Sequence, residues 1–248
     1  MRIAVVSDLH LAAETNVCRG GRSERELLTW LDHLAERHDH VVLLGDIWET
    51  LAPRRMNDFE AELERAARAW PGVAARMRDP KFVYIHGNHD LAAKSVWGAP
   101  SEWVLNVDGL RLWFLHGHQF DRFSSSGSSE TAFWAVGWVM RAGLRRVVER
   151  LDGLDQLLGG ASRLPARCAV QRGAVQEARK SSVDLVITGH THIGGCFDHD
   201  GCWYLNSGAG AGGRRSCLSI DTQARRWFWI DGEPVRALRG RPALALAR

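Results

Sequence analysis

The feature of this sequence that most constrains its fold is a recurrence of short apolar runs, each of which stops at a cluster of Gly, Asp, Asn or His. Such runs occur at residues 3–6, 41–44, 82–85, 110–115 and 185–187. Uninterrupted runs rich in β-branched and aromatic residues are typical of strands that are buried on both faces. We therefore expect interior strands, each with its polar cluster at the carboxyl end.

Helical patterns lie between the first three runs. Ser23 and Glu26 form a capping-box pair that predicts a helix through about Arg37. Asn57 opens a second helical pattern, which we expect to end at Pro71. This alternation of strands and helices predicts a layered α/β fold with parallel neighbours in its first sheet. In such folds ligands bind beyond the carboxyl ends of the strands, which is where the polar clusters lie.

A single domain spanning residues 1–248 is expected, with one insertion and a tail. Apolar residues recur at spacings of three or four within residues 119–182, which predicts a helical cap or lid inserted before the last polar cluster. Later runs at residues 202–205 and 226–230, separated by Gly-rich turns, predict antiparallel hairpins. Residues 233–248 are rich in Ala, Arg and Pro and predict a loosely held tail.

Charge and hydropathy argue against a protein that holds nucleic acid by bulk charge and against one that spans a membrane. The 248-residue chain has a net charge of only +3, too even for a protein that holds nucleic acid by bulk charge, so no nucleic-acid partner is expected. No apolar run approaches the roughly 20 residues needed to span a bilayer. The N-terminal run ends at once in Ser7 and Asp8, unlike a signal peptide. We expect a cytoplasmic protein.

The polar clusters bring together a set of potential metal ligands. Seven neutral or anionic donors are expected at one edge of the sheet: Asp8, His10, Asp46, Asn88, His116, His190 and His192. Each cluster alone is more typical of a turn or a helix cap. Together, however, so many desolvated polar groups are costly unless something binds them. They predict a pair of divalent cations, with the two carboxylate oxygens of Asp46 bridging them.

The chemistry of these donors narrows the metal and the reaction. Carboxylate and amide oxygens mixed with imidazole nitrogens, without thiolate, favour Mn, Fe, Zn or Ni over Ca or Mg, and we expect Mn first. Two such ions roughly 3.5 to 4 Å apart would lower the pKa of a water between them and clamp the oxygens of a phosphoryl group. The sequence therefore predicts a two-metal hydrolase of phosphate esters or anhydrides.

Taken in order, the clusters resemble the sequence blocks of the calcineurin-like metallophosphoesterase superfamily. The blocks are Asp8-x-His10, Gly45-Asp46-x-x-Glu49, Gly87-Asn88-His89-Asp90, His116-Gly117-His118 and Gly189-His190-Thr191-His192. The resemblance covers most of the chain and implies the layered metallophosphoesterase fold, in which central β-sheets are flanked by helices. It also implies hydrolysis of a phosphodiester or pyrophosphate by in-line attack of a metal-bridging hydroxide.

The resemblance implies a role for each ligand. One metal is expected at Asp8, His10 and His192, and the other at Asn88, His116 and His190, with Asp46 bridging both. His89 is expected near the leaving group, where it can stabilise the transition state or donate a proton. Glu49 and Asp90 could each orient His89 or cap a helix. His118 could contact substrate, support a ligand or cap a helix.

Within the superfamily, the chain is most similar to the UDP-2,3-diacylglucosamine pyrophosphatases, through residues 7–11, residues 45–49 and the insert before the last block. Those enzymes cut the pyrophosphate of an acylated nucleotide sugar on the inner membrane face during lipid A synthesis. His89 stands where their pattern has Arg, and His118 where it has Asp. These departures return the chain towards the general superfamily pattern and leave a soluble nucleotide phosphodiesterase or phosphatase as the alternative.

The insert carries its own indication of substrate. Trp134 and Trp138 lie one helical turn apart on a face that continues into Arg141 and Arg145. An apolar rim followed by cations suits acyl chains beside anionic headgroups and predicts a peripheral contact with a membrane. The alternative is that both Trp side chains pack beneath the cap.

A metal-free scaffold that binds partners through the sheet edge is a hypothesis of another class.

Overall fold

The structure is a computed structural model that describes residues 1–15, 17–18, 23–121, 134–135, 138–139, 141–142, 168–211 and 216–230. Within these residues the strands form two five-stranded sheets. The sheets pack face to face, and helices cover their outer faces. The predicted layered α/β architecture, with central sheets flanked by helices, is confirmed.

The first sheet is built on three parallel strands, β1 (Arg2–Val6), β2 (His40–Leu44) and β3 (Phe82–Ile85). On the other side of β1, β9 (Cys217–Asp221) pairs antiparallel with it and forms a hairpin with β10 (Arg226–Ile230). The strand order is β10-β9-β1-β2-β3. The parallel neighbours and the last hairpin are as the sequence predicts.

The second sheet contains β4 (Glu102–Val107), β5 (Leu110–Leu115), β6 (Leu185–Thr188), β7 (Gly195–His199) and β8 (Cys202–Asn206). Its strand order is β4-β5-β6-β8-β7. The three central strands β5, β6 and β8 are parallel, whereas β4 and β7 pair antiparallel at the edges. The carboxyl ends of β5 and β6 therefore point the same way.

Helices cover both outer faces of this sandwich. The first sheet packs against α1 (Glu24–Arg37), α2 (Phe59–Ala69) and α3 (Pro71–Arg76), and α4 (Ala92–Trp97) adds Ala93 to the same core. The second sheet packs against α5 (Ala169–Lys180). A single 3-10 turn, His118–Phe120, follows β5 within the described residues.

Burial on both faces explains the continuous apolar runs. In β1, Ile3 and Val5 pack between the two sheets, whereas Ala4 and Val6 pack against the helices. All four side chains are fully buried. A strand with two apolar surroundings has no polar face, so the alternation expected of a half-exposed strand is absent from the sequence.

The helix boundaries support two sequence predictions and correct a third. Ser23 accepts a hydrogen bond from the backbone N–H of Glu26 (3.3 Å), so the first cap is as predicted. The second helix instead begins at Phe59, because Asn57 adopts a left-handed conformation (φ 63°) and caps nothing. α2 ends at Ala69 with Trp70 as its C-cap, directly before Pro71, so its end is as predicted. Pro71 is also the first residue of α3, where its missing N–H costs nothing.

Only part of the predicted insert falls within the described residues. The last part of residues 119–182 forms α5, in which Val175 and Ala178 pack with Val186 and Tyr204 on the outer face of the second sheet. The insert as a whole and the tail at residues 233–248 stay predictions, because most of the former and all of the latter lie outside the described residues. Among the residues that are described, no helix is long and apolar enough to cross a membrane.

The core under α1 gives a first testable prediction. Leu31 is completely buried between α1 and the first sheet, so Leu31→Ala should lower the free energy of unfolding by about 3 kcal/mol through lost transfer energy and a residual cavity. Leu91, which is 49% exposed, is the matched control, and Leu91→Ala should cost less than about 1 kcal/mol. Urea denaturation measures both values. Equal losses would contradict the layer assignment.

Candidate metal centre

The polar clusters meet at one end of the sandwich, and both sheets contribute to them. Backbone hydrogen bonds tie the loops together: Asp8 N donates to the carbonyl of Gly45 (3.1 Å) and His10 N to that of Asp46 (2.9 Å). On the second sheet, Gly189 N donates to the carbonyl of His116 (3.0 Å). The loops after β1, β2, β5 and β6 therefore form a single site.

Backbone strain is concentrated in these loops. Five of the seven predicted ligands have positive φ angles although none is glycine: Asp8 (56°), His10 (49°), Asp46 (54°), His190 (66°) and His192 (58°). Such residues cost roughly 1 to 3 kcal/mol each and persist only where the surrounding structure enforces them. They cluster at functional sites, so the strain itself marks this loop cluster.

The first group of ligand atoms belongs to Asp8, His10 and His192, which lie close enough to share one ion. Nε2 of His192 is 3.1 Å from Oδ1 of Asp8 and 3.4 Å from Nε2 of His10. Nδ1 of His10 faces Oε2 of Glu49 (3.2 Å), which leaves Nε2 as the nitrogen for a metal. The first sheet supplies two of these residues and the second sheet supplies the third.

The second group comprises Asp46, His116 and His190. Oδ2 of Asp46 is 3.1 Å from Nε2 of His116, whose Nδ1 donates to the carbonyl of Leu44 (2.9 Å). His190 is held at Nε2 by Oδ2 of Asp121 (2.9 Å), so Nδ1 is the nitrogen left for an ion. Again one residue comes from the first sheet and two from the second.

Unpartnered buried atoms provide a test of fit for a cation. Asn88 Oδ1 is buried and makes no hydrogen bond. Asp8 Oδ1 and His116 Nε2 are buried as well, and each faces only another predicted ligand, His192 and Asp46 respectively, at 3.1 Å. Buried polar atoms are almost always paired in native proteins, so ligand atoms that face one another or nothing need an explanation. Carboxylate oxygen, amide oxygen and imidazole nitrogen are all ligand atoms for a divalent transition metal. The residues present therefore fit such an ion.

Asp46 and His116 form a buried ion pair in which each group shifts the pKa of the other. Burial alone would lower the pKa of His116, but the carboxylate of Asp46 outweighs burial and raises it to about 10. Burial would raise the pKa of Asp46, yet His116 and His89 hold it well below its usual range. A metal ligand must be deprotonated, so an entering cation would displace the proton of His116.

His89 is held at this centre by two carboxylates. Its Nδ1 is 2.9 Å from Oε2 of Glu49, and its backbone N–H donates to Oδ1 of Asp46 (2.8 Å). Its Nε2 lies 3.9 Å from Oδ2 of Asp46. Burial would raise the pKa of Glu49, but the nearby His89 and His10 lower it strongly. The structure thus places Glu49 against both His10 and His89.

Asp90 has a different position from Glu49. Its carboxylate accepts hydrogen bonds from the backbone N–H groups of Ile47 (2.8 Å), Asp46 (3.2 Å), Trp48 (3.3 Å) and Gly87. Burial, followed by the charge of Asp46, raises the pKa of Asp90 to about 6. Asp90 organises the loop that carries Asp46, much as a side chain caps a helix.

His118 lies beside the second group. Its ring centroid is 5.6 Å from that of His116 and 6.4 Å from that of His190. Burial, followed by the charge of His116, lowers the pKa of His118 to about 3. Its Nδ1 is buried without a hydrogen bond. His118 is therefore a neutral neighbour of the ligands in the absence of a metal.

Sequence reasoning missed several residues that support the ligands. Asp121 holds His190, and the distance between them along the chain leaves no local signal. Asn206 donates to the carbonyl of Gly189 (2.6 Å), and Ser207 Oγ is 2.7 Å from Ser7 Oγ. Asn206 and Ser207 directly follow the apolar run of β8. A search for polar residues after each apolar run, which located the other clusters, would therefore have found them.

The cap candidates that the structure describes lie next to one another, because Cζ of Arg141 is 6.0 Å from the ring centroid of Trp138. The rings of Trp134 and Trp138 meet edge to face at 6.2 Å, and Trp138 is 50% exposed. The sequence suggests anionic headgroups as partners of Arg141. In the structure its guanidinium instead binds the main domain, where Nε lies 2.9 Å from Oε2 of Glu14. Arg145 lies outside the described residues.

Comparison with known proteins agrees with this geometry. A sequence model of the family described as calcineurin-like phosphoesterase matches residues 1–194. The UDP-2,3-diacylglucosamine hydrolase of Salmonella dublin is 26% identical to this chain, covering 77% of it and 82% of that protein. Its counterpart from Escherichia coli O7:K1 is 23% identical with the same coverage. Vps29 of Chaetomium thermophilum shares the fold, with a TM-score of 0.50 at 15% identity over 98% of this chain and 93% of that one.

A match over residues 1–194 covers most of the chain and includes every predicted ligand. The protein therefore belongs to the calcineurin-like phosphoesterase family. It is a metal-dependent phosphate ester hydrolase.

A close approach at Gly87 gives the second prediction. A Cβ atom there would overlap the Asp46 carboxylate, whereas a Cβ at Gly98 would meet nothing within 4 Å. Gly87→Ala should displace Asp46 and weaken metal binding at least about tenfold, or about 1.4 kcal/mol. Metal titration monitored by calorimetry measures the change.

Gly98→Ala is the matched control for this substitution. Gly98 has a positive φ of 65°, so alanine there should cost about 1 kcal/mol of folding stability and leave metal affinity unaltered. Metal binding that falls equally in both variants would show that general destabilisation, and not the contact with Asp46, is responsible.

Proposed function

We propose that this protein is a dinuclear metallophosphoesterase that hydrolyses the pyrophosphate bond of an acylated nucleotide sugar such as UDP-2,3-diacylglucosamine. The observation that carries the reaction class is the pair of neighbouring ligand groups, Asp8 with His10 and His192, and Asp46 with His116 and His190. The pKa of Asp46 is lowered by histidines of both groups, which supports a carboxylate shared between two ions. The substrate class rests on similarity to the two hydrolases and on the insert.

Seven side chains would hold the ions. Asp8, His10 and His192 would bind one, and Asn88, His116 and His190 the other, with Asp46 between them. Their mixture of oxygen and imidazole donors favours Mn, with Fe, Zn or Ni as substitutes. When bound, the pair of ions would polarise the phosphoryl oxygens and lower the pKa of a water.

His89 is the residue of this chain that we assign to proton transfer. Its Nδ1 is engaged by Glu49 (2.9 Å), so Nε2 is the nitrogen that faces the reacting groups. The ionised Glu49 carboxylate favours the protonated imidazole, which can donate to a leaving oxygen and stabilise its charge. Glu49 also faces Nδ1 of His10 (3.2 Å), so one carboxylate orients both a proton donor and a ligand.

The exposed tryptophan of the insert supports an acylated substrate. Trp138 is 50% exposed beside Trp134, and such a rim provides apolar surface for acyl chains. An enzyme that takes a lipid from a bilayer would act in the cytoplasm at the inner face of the membrane. We propose a peripheral contact of this kind, made through the insert.

A soluble nucleotide phosphodiesterase or phosphatase is the second candidate. His89 and His118 stand where the resembled pyrophosphatases have other residues, and this favours a more general activity. A metal-free scaffold is the third candidate, although the buried Asn88 Oδ1, which makes no hydrogen bond, argues for a bound cation. The two experiments below separate all three candidates.

The third prediction concerns the reaction class. With Mn²⁺ the protein should bind close to two equivalents of metal and hydrolyse bis(p-nitrophenyl) phosphate. His89→Gln should lower kcat by about 10² to 10⁴ for a phosphodiester with an alkyl leaving group, which needs a proton, and far less for bis(p-nitrophenyl) phosphate, while metal content is retained. His33→Gln, on α1, is the control and should behave like the unaltered chain. Less than one equivalent of metal after reconstitution would favour the scaffold.

The fourth prediction concerns the substrate. Replacing both insert tryptophans, Trp134→Ser with Trp138→Ser, removes apolar surface that the acyl chains would cover. The kcat/KM for UDP-2,3-diacylglucosamine should fall at least about tenfold, while that for bis(p-nitrophenyl) phosphate stays within about twofold. Trp97→Ser, on α4, is the matched control. Equal losses on both substrates would contradict the lipid assignment and favour the soluble alternative.

A further inference from the structure

Arg141 makes an unusual number of contacts for a residue of an insert. Its side chain is only 12% exposed. Nε donates to Oε2 of Glu14 (2.9 Å), Nη1 donates to the carbonyl of Pro53 (3.1 Å), and Nη2 donates to the carbonyl of Ala52. All three nitrogens of the guanidinium are therefore engaged by the main domain.

These partners lie on the two loops that carry predicted metal ligands from the first sheet. Glu14 belongs to the loop after β1, which carries Asp8 and His10. Ala52 and Pro53 belong to the loop after β2, which carries Asp46. One guanidinium from the insert therefore joins both loops.

Two further contacts support the same junction. Val139, two residues before Arg141, packs against a small buried cluster formed by Ala12, Val17 and Ala52 from the same two loops. Glu62 on α2 is 3% exposed, and its Oε2 lies 4.0 Å from Nη2 of Arg141. The junction combines an apolar contact with a partly buried charge pair, which solvent screens less than a surface pair.

We propose that Arg141 is a positioning residue that fastens the insert to both metal-bearing loops and so fixes the spacing of the ligands on those loops. Its planar fork suits three acceptors that lie in different directions, whereas the single ammonium of a lysine cannot reach all of them. The geometry of the metal centre then depends on the contact of Arg141 with the two loops, which lies outside the centre itself. Only the activity measurement below rests on the proposed function.

Hydrogen exchange followed by mass spectrometry tests the proposal on the full chain purified with Mn²⁺. Arg141→Met should raise the exchange rate at least about tenfold in both residues 12–15 and residues 50–56, because the outer part of each loop loses its bond to the insert while the backbone hydrogen bonds nearer the strands remain. Arg141→Lys should give an intermediate rate. If the methionine variant fails to fold, the lysine variant and Glu14→Gln provide the same comparison.

Arg54→Met is the matched control. Arg54 also donates to Glu14 (2.7 Å), but it is 61% exposed and touches no part of the insert that the structure describes. An exposed pair contributes little, so its loss should change exchange less than about twofold. Unchanged exchange in Arg141→Met overturns the proposal. Faster exchange in one loop alone, or equal effects of Arg54→Met and Arg141→Met, overturns it as well.

Kinetics distinguish positioning from direct contact with substrate. A positioning role predicts that Arg141→Met lowers kcat several-fold for bis(p-nitrophenyl) phosphate and for the acylated nucleotide sugar, with KM little altered. A rise confined to KM for the acylated substrate would assign Arg141 to headgroup binding and overturn the proposal. If the unaltered chain hydrolyses neither substrate, the proposed function fails, and hydrogen exchange still decides the role of Arg141.

Discussion

Four backbone N–H groups from the loops after β2 and β3 converge on the buried carboxylate of Asp90. The rest of the metal centre depends on this interaction, because it fixes the backbone of Asp46 and of Gly87 next to Asn88. A carboxylate of this kind is costly to bury, and the donors compensate for its lost hydration. With the loop fixed, Asp46 lies against His116 while its other oxygen accepts the N–H of His89.

The same loops hold their ligands in strained conformations. Positive φ angles at Asp8, Asp46 and His190 are unfavourable for side-chain-bearing residues, and the packed sheets below supply the stability that maintains them. The buried Asn88 Oδ1, which makes no hydrogen bond, adds a further cost. These features lower the free energy of unfolding of the chain, and a cation that binds only the folded state would raise it again.

Much of this arrangement could be read from the sequence because its physical causes are local. Apolar runs located the parallel strands, and the polar residues after them lie together at one end of the sandwich, where they stay predicted ligands. The capping pair at Ser23 correctly gave the start of α1. The edge strand β4 was missed because its apolar run is only three residues long, Trp103 to Leu105, and no polar cluster of the kind seen elsewhere follows it. Contacts between distant residues, such as Asp121 with His190 and Arg141 with Glu14, leave no pattern along the chain.

Each ligand group draws residues from both sheets of the sandwich. Asp8 and His10 follow β1 while His192 follows β6, and Asp46 follows β2 while His116 follows β5. Two cations held in this way would act as cross-links between the halves of the domain. Any substitution that lets the sheets slide past one another, however far from the loops, would then be felt as poorer retention of metal.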